Sequence, residues 1–149
     1  MRTQNKTVET VTERQRNLIE DLNLIENPQE RLSVLVDRAR SLAPLPDKAR
    51  TESHLVPGCV SQVWLLCTHA AAGRCHFRCD AGSPLVKALV AFLCDYYSDC
   101  SPDEILADGD SDEATPLAAL GLLQTLSPTR RNGLAQVRAR ILAYAAEAN

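Results

Sequence analysis

The feature that most constrains this chain is a pair of short stretches with a two-residue period, set among segments whose apolar residues repeat as in helices. Gln62 to His69 reads as a strand, with Val63, Leu65, Cys67 and His69 on one face and Trp64 and Leu66 on the other. Ala70-Ala71-Ala72-Gly73 separates it from Arg74 to Cys79, in which Cys75, Phe77 and Cys79 again share a face. Two alternating stretches this close together predict an antiparallel hairpin. Both faces of the first strand are largely apolar, so the hairpin needs helices on one side and partial cover on the other. The fold class implied is α+β, a small antiparallel β-sheet flanked by α-helices.

The flanking segments supply those helices. Thr7 to Ile25 carries Val8, Val11, Leu18, Leu22 and Ile25 near a 3.6-residue spacing. A second helix starts at the cap Asn27 with Pro28 at its first position and Glu30 three residues after the cap, and its apolar stripe is Leu32, Leu35, Val36, Ala39 and Leu42. Ala43-Pro44-Leu45-Pro46 ends it, and the polar run Asp47 to His54 reads as a surface connection. After Asp80-Ala81-Gly82 closes the hairpin, Ser83-Pro84 opens a strongly apolar helix to about Tyr97, the expected centre of the core. Ser101-Pro102-Asp103-Glu104 has the form of a capping box on a short helix. Asp108 to Glu113 is an acidic turn without the ligand order of a calcium loop. A short helix around Pro116 to Gln124 follows, and Ser127-Pro128 starts the last one. Its buried stripe is expected to be Leu134, Val137, Ile141 and Tyr144, with Arg130, Arg131, Arg138 and Arg140 on exposed faces. The 149 residues fit one domain, 1–149.

Charge and composition exclude several function classes. Lys and Arg number 16 against 19 Asp and Glu, a net charge of -3, which leaves no basic footprint for nucleic acid or for a membrane surface. No apolar run has the length of a transmembrane helix, and the polar Met1 to Lys6 lacks the apolar core of a secretory signal. A soluble cytoplasmic protein with reduced thiols is the expectation. The six cysteines, Cys59, Cys67, Cys75, Cys79, Cys94 and Cys100, all fall in the middle third, so any thiol chemistry is central.

Among them Cys59 stands apart. Pro57 fixes its own φ and Gly58 opens backbone angles closed to other residues, so Val56-Pro57-Gly58-Cys59 bends sharply just ahead of the first strand. A thiol at a turn suits transfer to a partner better than packing. An ordinary cysteine has a pKa of about 8.5, so it needs a nearby cation or a partner's active site to become thiolate at neutral pH. His54 and Lys48 are close to it in sequence only. Cys67, His69, Cys75, His76 and Cys79 are zinc-ligand types, but their spacing lacks the paired knuckle of a structural site, and no metal is expected. Cys94 is read as packing, and Cys100 as an exposed residue beside a loop.

Gly58-Cys59-Val60-Ser61-Gln62-Val63-Trp64-Leu65 resembles the G-C-x-S-Q-V-W signature of the SufE family, sulfur acceptors that work with a pyridoxal-phosphate cysteine desulfurase. Thr51-Glu52, Leu85 to Leu89 and Leu126 to Leu134 extend the likeness from the second helix to the last. The resemblance implies a SufE/IscU-like fold with a sheet of about three strands. It implies that Cys59 takes sulfur as a persulfide and that the protein stimulates a SufS-like desulfurase without being one. The sulfur then passes to an iron–sulfur scaffold complex. It also implies no cofactor of the chain's own, pyridoxal phosphate belonging to the partner. Gly58, Ser61, Gln62 and Arg130 become candidates for partner binding or loop support, while monomer and homodimer both stay open. The chain departs from the family at Asp80-Ala81-Gly82-Ser83, at His54 and at Ala88. Other readings of the same residues are a thiol redox protein pairing Cys59 with a resolving cysteine, a small zinc module built on the hairpin, and a subunit that only docks on a desulfurase.

Overall fold

The computed structural model describes residues 11–57, 62–69, 73–107 and 115–148. In chain order these form α1 (Val11–Asn23), α2 (Pro28–Arg40), β1 (Val63–His69), β2 (Cys75–Ala81), α3 (Pro84–Tyr97), α4 (Pro102–Ala107), α5 (Thr115–Ala119) and α6 (Pro128–Ala148). Short 3-10 turns lie at Asp47–Ala49, Glu52–His54 and Leu123–Thr125. Four helices begin on one device. A cap residue is followed by Pro28, Pro84, Pro102 or Pro128 at the first helical position, where the missing N–H costs nothing. Asn27 Oδ1 accepts from the Gln29 N–H at 2.8 Å, and Ser83 Oγ from the Val86 N–H at 3.4 Å. Ser101 and Glu104 cap each other at 3.2 and 2.8 Å, and Ser127 Oγ accepts from the Arg130 N–H at 3.2 Å.

The hairpin forms in the register that the alternation demands. Leu65 faces Cys79, Cys67 faces Phe77 and His69 faces Cys75. Val63, Leu65, Cys75, Phe77 and Cys79 are buried on that shared face, whereas Trp64 and Leu66 on the other are half-buried. Strand β2 runs two residues further than the alternation suggested, through Asp80 and Ala81. Helix α3 packs on β2 and α2, while α6 packs on α4 and α3. Leu89, Val90, Leu93 and Tyr97 are fully buried, and each such large side chain contributes about 1.5 to 3 kcal/mol. Helix α1 buries Leu22 and packs Leu18 and Ile19 on the core, and its polar side docks as well. Arg14 donates to the carbonyls of Asp95 at 2.9 Å, Tyr96 at 3.4 Å and Ser98, and Gln15 to Tyr96 at 3.0 Å. These carbonyls lie at the end of α3, where the helix itself supplies no donors and a cation is also favoured by the helix dipole.

Four expectations are corrected. Among the described residues the sheet has two strands rather than three. Leu55 makes a single bridge to Trp64 on the outer edge of β1, and Cys100 one to Cys75 on the outer edge of β2. The Leu55 side cannot lengthen, because the 3-10 turn Glu52–His54 precedes it and Pro57 has no N–H to offer a ladder. Leu42 is 49% exposed instead of buried, since α2 ends at Arg40 and the helical stripe ends with it. Arg138 is buried rather than exposed, and its Nε donates to Tyr97 Oη at 2.9 Å. Cys100 is fully buried beneath its bridge to Cys75. Val8 and the acidic turn Asp108 to Glu113 lie outside the described residues. Among those described, no helix is long and apolar enough to cross a membrane.

Candidate functional site

Gly58, Cys59, Val60 and Ser61 lie outside the described residues, so the site is built from the two chain ends that lead to them. Leu55-Val56-Pro57 arrives beside Gln62-Val63-Trp64. The Val56 N–H donates to the Val63 carbonyl at 2.8 Å, and Leu55 bridges Trp64. On the strand side the Gln62 carbonyl accepts from the Gly82 N–H at 3.0 Å. It is thus the backbone of Gln62 that is anchored, its side chain being exposed. The chain leaves and re-enters through a root whose two sides are hydrogen bonded to each other.

Next to this root is a residue that sequence reasoning assigned to solvent. Arg140 Nη2 on α6 donates to the Leu55 carbonyl at 3.0 Å, and its guanidinium lies 5.8 Å from the ring centroid of Tyr144. The predicted Arg130 is exposed and lines a different hollow of about 450 Å³ with Gln29, Leu32, Leu85 and Ser127. Ten residues separate it from Arg140, about 15 Å along the helix. His54 Nδ1 sits 2.9 Å from the Ala49 carbonyl and 3.3 Å from Thr51 Oγ1, so the ring is tied into its own turn, while Lys48 is exposed.

A second polar cluster, also unread in the sequence, stands behind the root. Asp80 pairs with Trp64 in the sheet and is 6% exposed, yet its carboxylate is fully engaged. Oδ2 accepts from the Leu45 N–H at 3.1 Å and from Arg50 Nη1 at 3.3 Å. Oδ1 accepts from the Ala81 N–H at 2.9 Å, with Lys87 Nζ at 3.7 Å. Burial by itself would raise its pKa, but the two backbone N–H groups, Lys87 and Arg50 together outweigh it and hold the carboxyl below its usual range. In the sequence Asp80-Ala81-Gly82 reads as the turn that closes the hairpin, so the only signal was an acid just past the last alternating residue.

The five described cysteines are poor nucleophiles. Burial, reinforced by the neighbouring Cys75 thiol, pushes Cys67 up to about 12, and burial raises Cys75 too. Cys94 is raised well above its ordinary value by its bond with the Cys79 thiol and by burial, and Cys79 itself is 8% exposed. Burial lifts Cys100 to about 11, although Arg14 pulls it back in part. The hairpin thiols are therefore packed as neighbours, Cys75 and Cys79 in the core and Cys67 half-buried against it. Among the described residues no group of three or more His, Cys, Asp or Glu could hold a metal ion. A zinc module built on Cys67, His69, Cys75, His76 and Cys79 has no support in this arrangement.

The model of the SufE family, described as an Fe-S metabolism associated domain, matches residues 16–145. The chain belongs to the SufE family. That membership places it in iron–sulfur metabolism. Among curated SufE relatives, the cysteine desulfuration protein SufE of Wigglesworthia glossinidia brevipalpis is 29% identical over 121 residues, covering 81% of this chain and 82% of its own length. The solution structure of a hypothetical protein from Thermus thermophilus aligns with a TM-score of 0.70 at 20% identity, covering 90% of this chain and 94% of that one. That second likeness shows a shared fold. The SufE match also runs through the hairpin, both roots of the Cys59 segment and most of α6.

Proposed function

We propose that this SufE family member accepts sulfane sulfur on Cys59 from a cysteine desulfurase and hands it on for iron–sulfur cluster assembly. The observation that carries the reading is the contrast among thiols. The described five are buried or held protonated, whereas Cys59 belongs to a segment whose two ends meet in a hydrogen-bonded root beside β1. The name of the relative from Wigglesworthia, a cysteine desulfuration protein, points to the same partner class.

In the transfer, the Cys59 thiolate attacks the outer sulfur of the desulfurase persulfide. A new S–S bond forms on Cys59 as the old one breaks, and the desulfurase cysteine leaves as thiolate. The outer sulfur keeps its own proton or charge, so the exchange needs no oxidant or reductant. Removing that sulfur frees the desulfurase for its next turnover, which is how the protein stimulates it. A second exchange passes the sulfur to the scaffold complex. Pyridoxal phosphate does its chemistry in the partner, and this chain holds no cofactor of its own. Gly58 and Ser61 act beside Cys59 in docking, with Gln62 fixed through its backbone and Arg130 offered from the α2–α6 hollow.

Incubating the protein with a pyridoxal-phosphate cysteine desulfurase and free cysteine, followed by non-reducing mass spectrometry, tests this. Added sulfur on Cys59, absent in Cys59→Ser together with the stimulation, is the expected result. An unmodified Cys59 beside an active desulfurase overturns it, and full stimulation by Cys59→Ser would leave a docking role alone.

A further inference from the structure

The two sides of the root are held unequally. Gln62 continues into a seven-residue strand paired along its length with β2 and is fixed again by Gly82. Leu55 and Val56 follow a 3-10 turn and share with β1 one bridge and one strong hydrogen bond. In an antiparallel pair, backbone groups alternate between facing the partner strand and facing away. Because the Val56 N–H points at Val63, the carbonyl of Leu55 points away from β1 and has no ladder partner. Arg140, from 85 residues further along the chain, supplies the donor at 3.0 Å.

The arginine is itself braced. Tyr144 lies one turn further along α6, its ring 5.8 Å beneath the guanidinium and 6.5 Å from the Phe77 ring, and its hydroxyl donates to the Leu65 carbonyl at 3.4 Å. Adjacent turns of one helix thus hold β1 through Leu65 and the opposite side of the root through Leu55. We infer that Arg140 is a positioning residue for sulfur acceptance, fixing through the Leu55 carbonyl the side of the root that reaches Cys59 four residues later. Thiol exchange needs the attacking sulfur aligned with the bond it breaks, so a root held on one side only lowers the fraction of encounters that react. The catalytic consequence rests on the persulfide reading; the latch itself does not.

Arg140→Gln and Arg140→Lys, prepared in the full chain, separate the two. In the free protein, amide exchange at Val56 is expected to rise about tenfold in Arg140→Gln, the loss of one charge-assisted hydrogen bond, while Leu89 and Leu93 in α3 keep their protection. Lysine, whose ammonium reaches nearly as far as the guanidinium, recovers much of it, whereas the shorter glutamine amide falls short of the Leu55 carbonyl. With a desulfurase present, the rate of sulfur arrival on Cys59 is expected to fall in Arg140→Gln and to recover in Arg140→Lys in the same order. Unchanged exchange at Val56, or an equal rise there and in α3, overturns the latch. Faster exchange with an unchanged transfer rate overturns its role in positioning. If the unsubstituted protein takes up no sulfur, the persulfide reading has failed, and Val56 exchange alone still decides whether Arg140 holds the root.

Discussion

Burial is the main brake on the thiols of Cys67, Cys75 and Cys100, while at Cys94 the bond with the Cys79 thiol comes first and burial adds to it. An unperturbed thiol with a pKa of about 8.5 is about a quarter ionised at pH 8, but one at about 12 is ionised only about once in ten thousand molecules. Cys67 is of the second kind, and Cys75, Cys94 and Cys100 are raised in the same direction. Brief treatment of the native protein with iodoacetamide at pH 8 is therefore expected to label Cys59 well ahead of the other five, whereas all six label alike in strong denaturant. Peptide mass mapping reads the difference, and Cys79 or Cys94 labelling as fast folded as unfolded would contradict the packing described. Part of this was legible in the sequence. Alternation placed Cys75 and Cys79 on the face of Phe77, and a proline-glycine turn set Cys59 apart. The burial of Cys100 was not, because it depends on a bridge to Cys75 between residues 25 apart in the chain.

At the level of elements, the unusual part is how the open edge of β1 is finished. A third strand would have met the outward carbonyls of β1 one after another. Here Val56 meets that of Val63, the residue opposite Leu65 belongs to the 3-10 turn Glu52–His54, and Tyr144 meets the Leu65 carbonyl from α6. A helix side chain does the work of a missing strand residue. Tyr144→Phe keeps the ring between Arg140 and Phe77 but removes the donor, so it should cost about 0.5 to 1.5 kcal/mol in urea unfolding. A loss far larger would mean that the ring had moved. The same contrast explains which elements could be read in advance. Helix starts are local, four of them written as a cap followed by proline, and the helical spacing of α3 needed only its own residues. Arg138 and Arg140 look like surface charges because α6 is read alone; their acceptors, the Tyr97 hydroxyl and the Leu55 carbonyl, come from 41 and 85 residues away. Long polar side chains that cross between elements leave no period in a sequence.

For the molecule as a whole, one carboxylate ties together several segments distant in the chain. Asp80 joins the Leu45 turn, Arg50 after the first 3-10 turn, the end of β2 and Lys87 in α3. All of these meet just behind the root of the Cys59 segment, since Asp80 faces Trp64 and Gly82 holds Gln62. Its folded pKa lies below its unfolded value, so the folded state binds its proton less readily than the unfolded chain does. The stabilisation this provides is complete above the unfolded value of about 3.9 and is lost as pH falls through the lower folded one. Asp80→Asn keeps the shape but leaves Arg50 and Lys87 facing a neutral amide, and at pH 7 it should cost about 2 to 3 kcal/mol. Acid unfolds both proteins further, because protonating carboxylates leaves the 16 Lys and Arg uncompensated. Those carboxylates are common to the two, however, so the difference between the proteins reports Asp80 alone. That difference should hold steady from pH 7 to about pH 5 and shrink below about pH 4, as the wild-type carboxyl takes up its proton and comes to resemble the asparagine. Urea unfolding of both proteins at neutral and acid pH measures it. A gap that stays constant down to pH 3 would mean that folding does not hold the Asp80 carboxyl below its unfolded value.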